Sequence, residues 1–260
     1  MIPALISARD LFTALGDYFL PRHCLVCGRV LLRHERHLCL FCLEDLPRTW
    51  FEIVEHNQMA DRYNEMIQRD LTVYEPYSRA AALIYYNAHN NYRNIPRSIK
   101  YSSDLGAGRY FGAMLGSALA ASPFFHGIDM VLPVPLHPLR RWRRGYNQAE
   151  VIARAAASKM GVPCFCDILS RRRRTKTQTR LSPEEKAANV RSAFKADSAR
   201  LQKRLAPLEG GAHILLVDDV FTTGATLNAC RTALRSALDS LGIPPERVRI
   251  SIATLSCTAS

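Results

Sequence analysis

Two adjacent carboxylates, Asp218 and Asp219, follow the apolar run Ile214-Leu215-Leu216-Val217 and precede Val220-Phe221 and a small hydroxylated stretch, Thr222-Thr223-Gly224-Ala225-Thr226-Leu227. The run has the composition of a buried strand, and Leu227, Cys230, Leu234, Leu238 and Leu241 recur at helical spacing after it. A loop between the two would leave free N–H groups at a helix N-terminus, which is a phosphate cradle. Gly224 lets the backbone approach the anion, and Thr222, Thr223 and Thr226 add hydroxyl donors. The acids would repel that phosphate unless they serve another part of the ligand. Neighbouring carboxylates accept hydrogen bonds from the vicinal hydroxyls of a ribose, so the combination selects a ribose 5-phosphate. A purely structural strand and turn has no need of paired acids and three threonines. No Gly-Lys-Ser/Thr follows, which separates the loop from a Walker sequence.

A second constellation lies near the start. Cys24, Cys27, Cys39 and Cys42 form C-x2-C-x11-C-x2-C, while Cys164, Cys166, Cys230 and Cys257 are scattered. Two close pairs supply four thiolates suited to tetrahedral Zn2+, and disulfides are unusual in a reducing compartment. A redox CxxC pair or four merely structural thiols are the alternatives, and His23, His34 and His37 are substitute ligands. Four protein ligands leave no open coordination position, so the metal's expected role is to fold a segment too short to bury its own core. A nucleic-acid contact through Arg22, Arg29, Arg33 and Arg36 is a further option.

Charge points to anionic partners. The 260-residue chain carries a formal +12, and residues 139–180 hold twelve Lys or Arg against only Glu150 and Asp167. Such a focused field draws phosphates, pyrophosphate or a nucleic-acid backbone, although a solvated basic face has the same composition. With 48% hydrophobic residues and no run of eighteen apolar ones, the chain reads as globular with no membrane span. Arg9, Asp10 and Asp17 interrupt the first twenty residues and make a poor secretory signal, so a cytoplasmic location is expected.

The elements that must position these groups alternate after residue 78. Strands are expected at 80–86, 130–135, 164–169, 213–218 and 248–255, and helices at 109–121, 147–159 and 223–241. That order implies a parallel α/β sheet whose ligands bind beyond the carboxyl ends of the strands, in the loops after Val134, Leu169 and Val217. Residues 46–78 have poor helical periodicity and read as a connector. The expected division is 1–45 for an N-terminal helix and the four-cysteine zinc-binding module, 46–78 for the connector, and 79–260 for the α/β domain. Cys230 and Cys257 read as core, and Asn147 as a helix cap.

The stretch from Leu215 to Thr226 resembles the phosphoribosyl diphosphate (PRPP) motif of type I phosphoribosyltransferases. A narrower resemblance covers almost the whole chain. The cysteine knuckles, Val131-Leu132-Pro133-Val134-Pro135-Leu136-His137-Pro138, Arg143-Arg144-Gly145-Tyr146-Asn147-Gln148-Ala149-Glu150, the segment from Thr175 to Ser182 followed by Asn189-Val190-Arg191-Ser192-Ala193-Phe194, and the PRPP motif are arranged as in the competence-associated ComF family. Residues 46–78 match poorly.

This resemblance implies a type I phosphoribosyltransferase fold with a small N-terminal zinc-binding module. It implies PRPP with Mg2+ as ligand, with Asp218 and Asp219 on the ribose and Thr222, Thr223, Gly224, Ala225 and Thr226 on its 5-phosphate. The turn through His137, Arg140, Arg143 and Arg144 would take the pyrophosphate, where arginine forks match phosphate oxygens; an exposed basic turn is the plain alternative. Trp142 would shield these groups or stack on a base. Lys176, Gln178 and Arg180 would belong to a lid over the substrate, or to an arm that grips nucleic-acid phosphates. Lys100-Tyr101 falls in the variable hood that chooses the acceptor, and no reaction role is read for it. The expected activity is transfer of ribose 5-phosphate to a nitrogen acceptor that the sequence does not specify, linked with competence and the use of imported DNA. The alternative is a non-catalytic PRPP- or nucleotide-binding adaptor that binds single-stranded DNA, with DNA-uptake or recombination proteins as partners.

Overall fold

The structure is a computed structural model that describes residues 21–69, 74–171, 193–208 and 210–258. Four strands, β1 (Ala80–Tyr86), β2 (Met130–Pro133), β5 (Ala212–Phe221) and β6 (Val248–Thr258), form one parallel sheet in the order β1-β6-β5-β2. Strand β5 is central, pairing Leu215 with Val131 on one side and Asp218 with Thr254 on the other. Its Ile214, Leu215, Leu216 and Val217 are fully buried, which explains the unbroken apolar run of a strand covered on both faces. Each such side chain contributes about 1.5–3 kcal/mol by leaving water.

The helices that matter for the site are α3 (Asn94–Tyr101), α4 (Leu105–Ala120), α5 (Pro138–Arg144), α6 (Gln148–Met160) and α8 (Ala225–Ser240). The connection from β1 to β2 crosses the sheet in the opposite direction to that from β5 to β6. Right-handed crossovers therefore put α4 and α8 on opposite faces. Helices α4 and α6 press together closely enough that a Cβ on Gly112 would lie 2.7 Å from the Ile152 carbonyl oxygen. Beside the sheet, β3 (Leu169–Arg171) and β4 (Phe194–Ala196) form a short antiparallel pair, followed by α7 (Ser198–Leu205).

Three expectations need correction. Residues 164–169 are not a strand: Cys164 makes one isolated parallel bridge to Val131, and β3 is a separate piece that turns away to pair with β4. The helix expected from 109 starts at Leu105, where the Asp104 side chain accepts from the Ala107 N–H at 2.8 Å. Residues 46–78 are more than a connector, because helix α2 (Gln58–Arg69) buries Met59, Ala60, Tyr63, Asn64 and Ile67. Polar Asn64 hides that periodicity, yet it belongs on the buried face, donating to the Ala60 and Ser78 carbonyls at 2.8 Å. The short helix α1 (Leu40–Glu44) closes the cysteine module. Among the described residues no helix is long and apolar enough to cross a membrane.

Candidate functional site

At the carboxyl end of β5 the chain leaves the core and its side chains turn polar. Asp219 is 5% exposed, and its Oδ2 lies 2.9 Å from Nζ of Lys100. Asp218 Oδ1 accepts from the Asp219 N–H at 2.8 Å. Burial and the charge of Asp219 push the Asp218 carboxyl up to about 8, while Lys100 pulls the other way. Lys100 is thus the counter-ion of Asp219, and burial beside that carboxylate disfavours the ionised form of Asp218.

The loop after them turns at Gly224, the cap of α8, with φ 77°. A Cβ there would lie 2.8 Å from the Phe221 ring, so both backbone conformation and space require glycine. Asp218, Asp219, Thr222 and Thr226 line a cavity of about 620 Å3 beyond the strand ends. Thr223 points instead to the side of Arg62 and Arg69 on α2. Gly224 and Ala225 line neither space; they supply the backbone of the turn, where the Ala225 N–H reaches Thr223 Oγ1 at 3.4 Å.

Across the cavity stand Arg140 and Arg144 of α5. Arg144 Nη1 donates to Gln148 Oε1 at 2.7 Å, and Asn147 both caps α6 and donates to the Val134 carbonyl at 3.0 Å. His137 and Arg143 do not line the cavity. His137 is buried, and its Nδ1 caps α5 by accepting from the Leu139 N–H at 3.2 Å. Lys176, Gln178 and Arg180 lie outside the described residues, as do Arg172, Arg173 and Arg174. The first member of that basic run, Arg171, lines the cavity with its guanidinium over the Phe194 ring at 5.0 Å.

The third wall is the hood, where sequence reasoning put Lys100-Tyr101 without a role and missed Arg97. All three residues, on α3, complete the cavity. Helix α3 is fastened at both ends. Tyr92 Oη, just before it, donates to the Cys42 carbonyl at 3.1 Å, and Asn94 Nδ2 donates to the Leu25 carbonyl at 3.1 Å. The Tyr146 hydroxyl donates to the Ile99 carbonyl. Nothing in the local spacing of Lys100 marks it off from an ordinary surface lysine; the signal is the long-range contact itself.

The cysteine module meets the geometric test for a tetrahedral metal. The Sγ atoms of Cys24, Cys27, Cys39 and Cys42 all lie within 4.8 Å of one another, with Cys27 and Cys39 at 3.7 Å. A zinc tetrathiolate with Zn–S of about 2.3 Å has sulfur–sulfur edges of roughly 3.8 Å. Burial raises the Cys24 thiol, but the N–H groups of Cys27, Cys39 and Val26 outweigh it and bring it down to about 7. His23, His34 and His37 are not part of the cluster. His37 instead places Nδ1 3.6 Å from Asp104, at the joint with α4. Glu35, another residue missed from sequence, is buried and accepts from the Leu32 and Leu40 N–H groups at 2.7 and 2.9 Å, which ties the loop between the knuckles to α1. Those bonds hold its carboxyl below the usual range.

A parallel sheet with paired acids at the carboxyl end of its central strand and a glycine turn into the next helix has the form of a phosphoribosyltransferase-type domain, and the family described as "Phosphoribosyl transferase domain" matches residues 147–243. The chain is 27% identical over 216 residues to Competence protein F of Haemophilus influenzae, spanning 82% of this chain and 78% of that protein. It is 34% identical over 99 residues to DNA utilization protein YhgH of Salmonella typhi, a match covering 38% of this chain and 40% of that one. A solved glutamine PRPP amidotransferase from B. subtilis overlaps 57% of this chain and 26% of its own at 21% identity, with a TM-score of 0.34. The likeness to Competence protein F, YhgH and Competence protein ComFC agrees with the resemblance to the ComF family.

Proposed function

We propose that the chain binds PRPP with Mg2+ in the cavity beyond β5 and transfers its ribose 5-phosphate to a nitrogen acceptor, in the uptake or use of DNA. The observation that carries this reading is that Asp218, Asp219, Thr222 and Thr226 open into the same cavity as Arg140 and Arg144. The loop amides and Thr hydroxyls take the 5-phosphate, and the carboxylates accept the ribose hydroxyls. As the bond from C1 to the diphosphate oxygen breaks, its electron pair leaves with the diphosphate and positive charge grows on the ring. The carboxylates, acting through the hydroxyls, stabilise that charge. The acceptor nitrogen then bonds to C1 and gives its proton to solvent. Arg140 and Arg144 hold the leaving diphosphate, and Mg2+, when bound, supplies further neutralisation of its charge.

In the same reading Cys24, Cys27, Cys39 and Cys42 hold one structural Zn2+. The test of the transferase reading is incubation with PRPP, Mg2+ and a panel of bases and amines, following pyrophosphate. Release that depends on one acceptor supports transfer. Binding of PRPP without release under every acceptor supports the second reading, an adaptor that handles single-stranded DNA. That second reading draws on Tyr101 and Trp142, 74% and 83% exposed, which offer stacking faces among the arginines of α3 and α5.

A further inference from the structure

We infer that Lys100 is a specificity gate: it pairs with Asp219 and yields that carboxylate only to a ligand that carries a second anionic group near C1 of the ribose. This rests on the phosphoribosyl reading of the cavity and adds to it a reason for choosing the diphosphate ester over ribose 5-phosphate itself.

The argument begins with the carboxylate. The Asp219 side chain is 7% exposed, and Lys100 Nζ at 2.9 Å faces its Oδ2. A carboxylate so far removed from water is costly without an opposite charge. Oδ2 is also an atom that the ribose hydroxyls need if Asp219 accepts from them. Hydroxyls alone are poor exchange for an ammonium, because they bring no charge and leave Lys100 to find another partner. A diphosphate on C1 supplies that partner within the same cavity.

The construction of the hood lets the side chain move while its helix stays. The backbone of α3 is fastened by Tyr92 and Asn94 to the cysteine module and by Tyr146 to the turn before α6. Lys100 sits in the last turn of α3, with 27% of its side chain exposed, on a flexible four-carbon stem. Its wall also carries Arg97, and Arg140, Arg144 and Arg171 line the rest of the cavity. These guanidiniums make the cavity attractive to any phosphate. Lys100 forms the ion pair with Asp219, so attraction comes from the arginines and discrimination from the lysine. Such a device raises selectivity by penalising the wrong ligand rather than by adding a contact to the right one.

The experiment compares calorimetric affinities for PRPP and ribose 5-phosphate, both with Mg2+, in wild type, Lys100→Ala, Lys100→Gln and Lys100→Arg. Wild type is expected to favour PRPP by well over tenfold. Lys100→Ala and Lys100→Gln should shrink that preference at least tenfold, with ribose 5-phosphate bound as well as before or better, and Lys100→Arg should restore most of it. A merely structural lysine would weaken both ligands together, and that result, or an unchanged preference in a folded variant, overturns the gate. Should every variant fail to fold, inorganic pyrophosphate with wild type decides: the gate requires pyrophosphate to tighten subsequent binding of ribose 5-phosphate, and independent or competitive binding refutes it. Wild type that binds neither PRPP nor ribose 5-phosphate overturns the phosphoribosyl reading itself, a distinct outcome that takes the gate with it.

Discussion

The floor of the cavity and its hood are assembled from opposite kinds of sequence. Asp218, Asp219, Thr222 and Thr226 come from one unbroken stretch, fixed by the end of β5 and the start of α8. The hood wall, Arg97 to Tyr101, comes from a short helix far earlier in the chain, and its position depends on bonds to Cys42, Leu25 and Tyr146. A floor built locally keeps its shape if the rest of the domain folds. A hood built from distant fastenings is where a second site, the cysteine module, can influence the first.

This contrast makes separate demands on mutation. The largest effect belongs to the floor. Asp218→Asn with Asp219→Asn removes charge-assisted bonds of about 1.5–3 kcal/mol each, so PRPP affinity should fall at least about a hundredfold while circular dichroism stays native. Next comes removal of the module. Cys42→Ser, or chelation, should lose the metal, lower the melting temperature and weaken PRPP by about tenfold, because Tyr92 and Asn94 lose ordered carbonyls to hold. If melting temperature drops and PRPP affinity does not, hood and module are independent.

Acidity separates the two regions in another way. Asp218 is raised to about 8 by burial and by Asp219, and a ribose diol prefers its ionised form. PRPP affinity should therefore strengthen as pH rises toward 8, by up to about tenfold per unit, and level off above. Stability runs the other way. The folded carboxyl keeps a proton that the unfolded one loses from its ordinary range upward, so stability is complete below that range and declines until pH passes about 8. Asp218→Asn should consequently melt higher than wild type at pH 8 to 9, as measured by calorimetry. The smallest effect is expected for Tyr146→Phe, which loosens only one hood fastening. It should cost about 1 kcal/mol of stability and a few-fold in PRPP affinity.

How much of this could be read from residues alone follows the same divide. The apolar run before Asp218, the strand at 80–86 and the four cysteines signal themselves through short-range pattern, and the structure has β1 at Ala80–Tyr86. Helix α2 escaped because Asn64 occupies a buried position without being apolar. His137, expected on the pyrophosphate turn among the arginines, places its Nδ1 at the cap of α5. Lys100 and Arg171 take their meaning from partners distant in sequence, and no periodicity announces them.

The central claim is that the acids and the loop beyond β5 form a PRPP site. Titration of metal-replete wild-type protein with PRPP in the presence of Mg2+, by isothermal calorimetry at pH 8, tests it most directly. The account predicts saturable binding near one ligand per chain, lost in the Asp218→Asn, Asp219→Asn protein. Absence of binding by the folded wild type, or equal binding by the double variant, would contradict it.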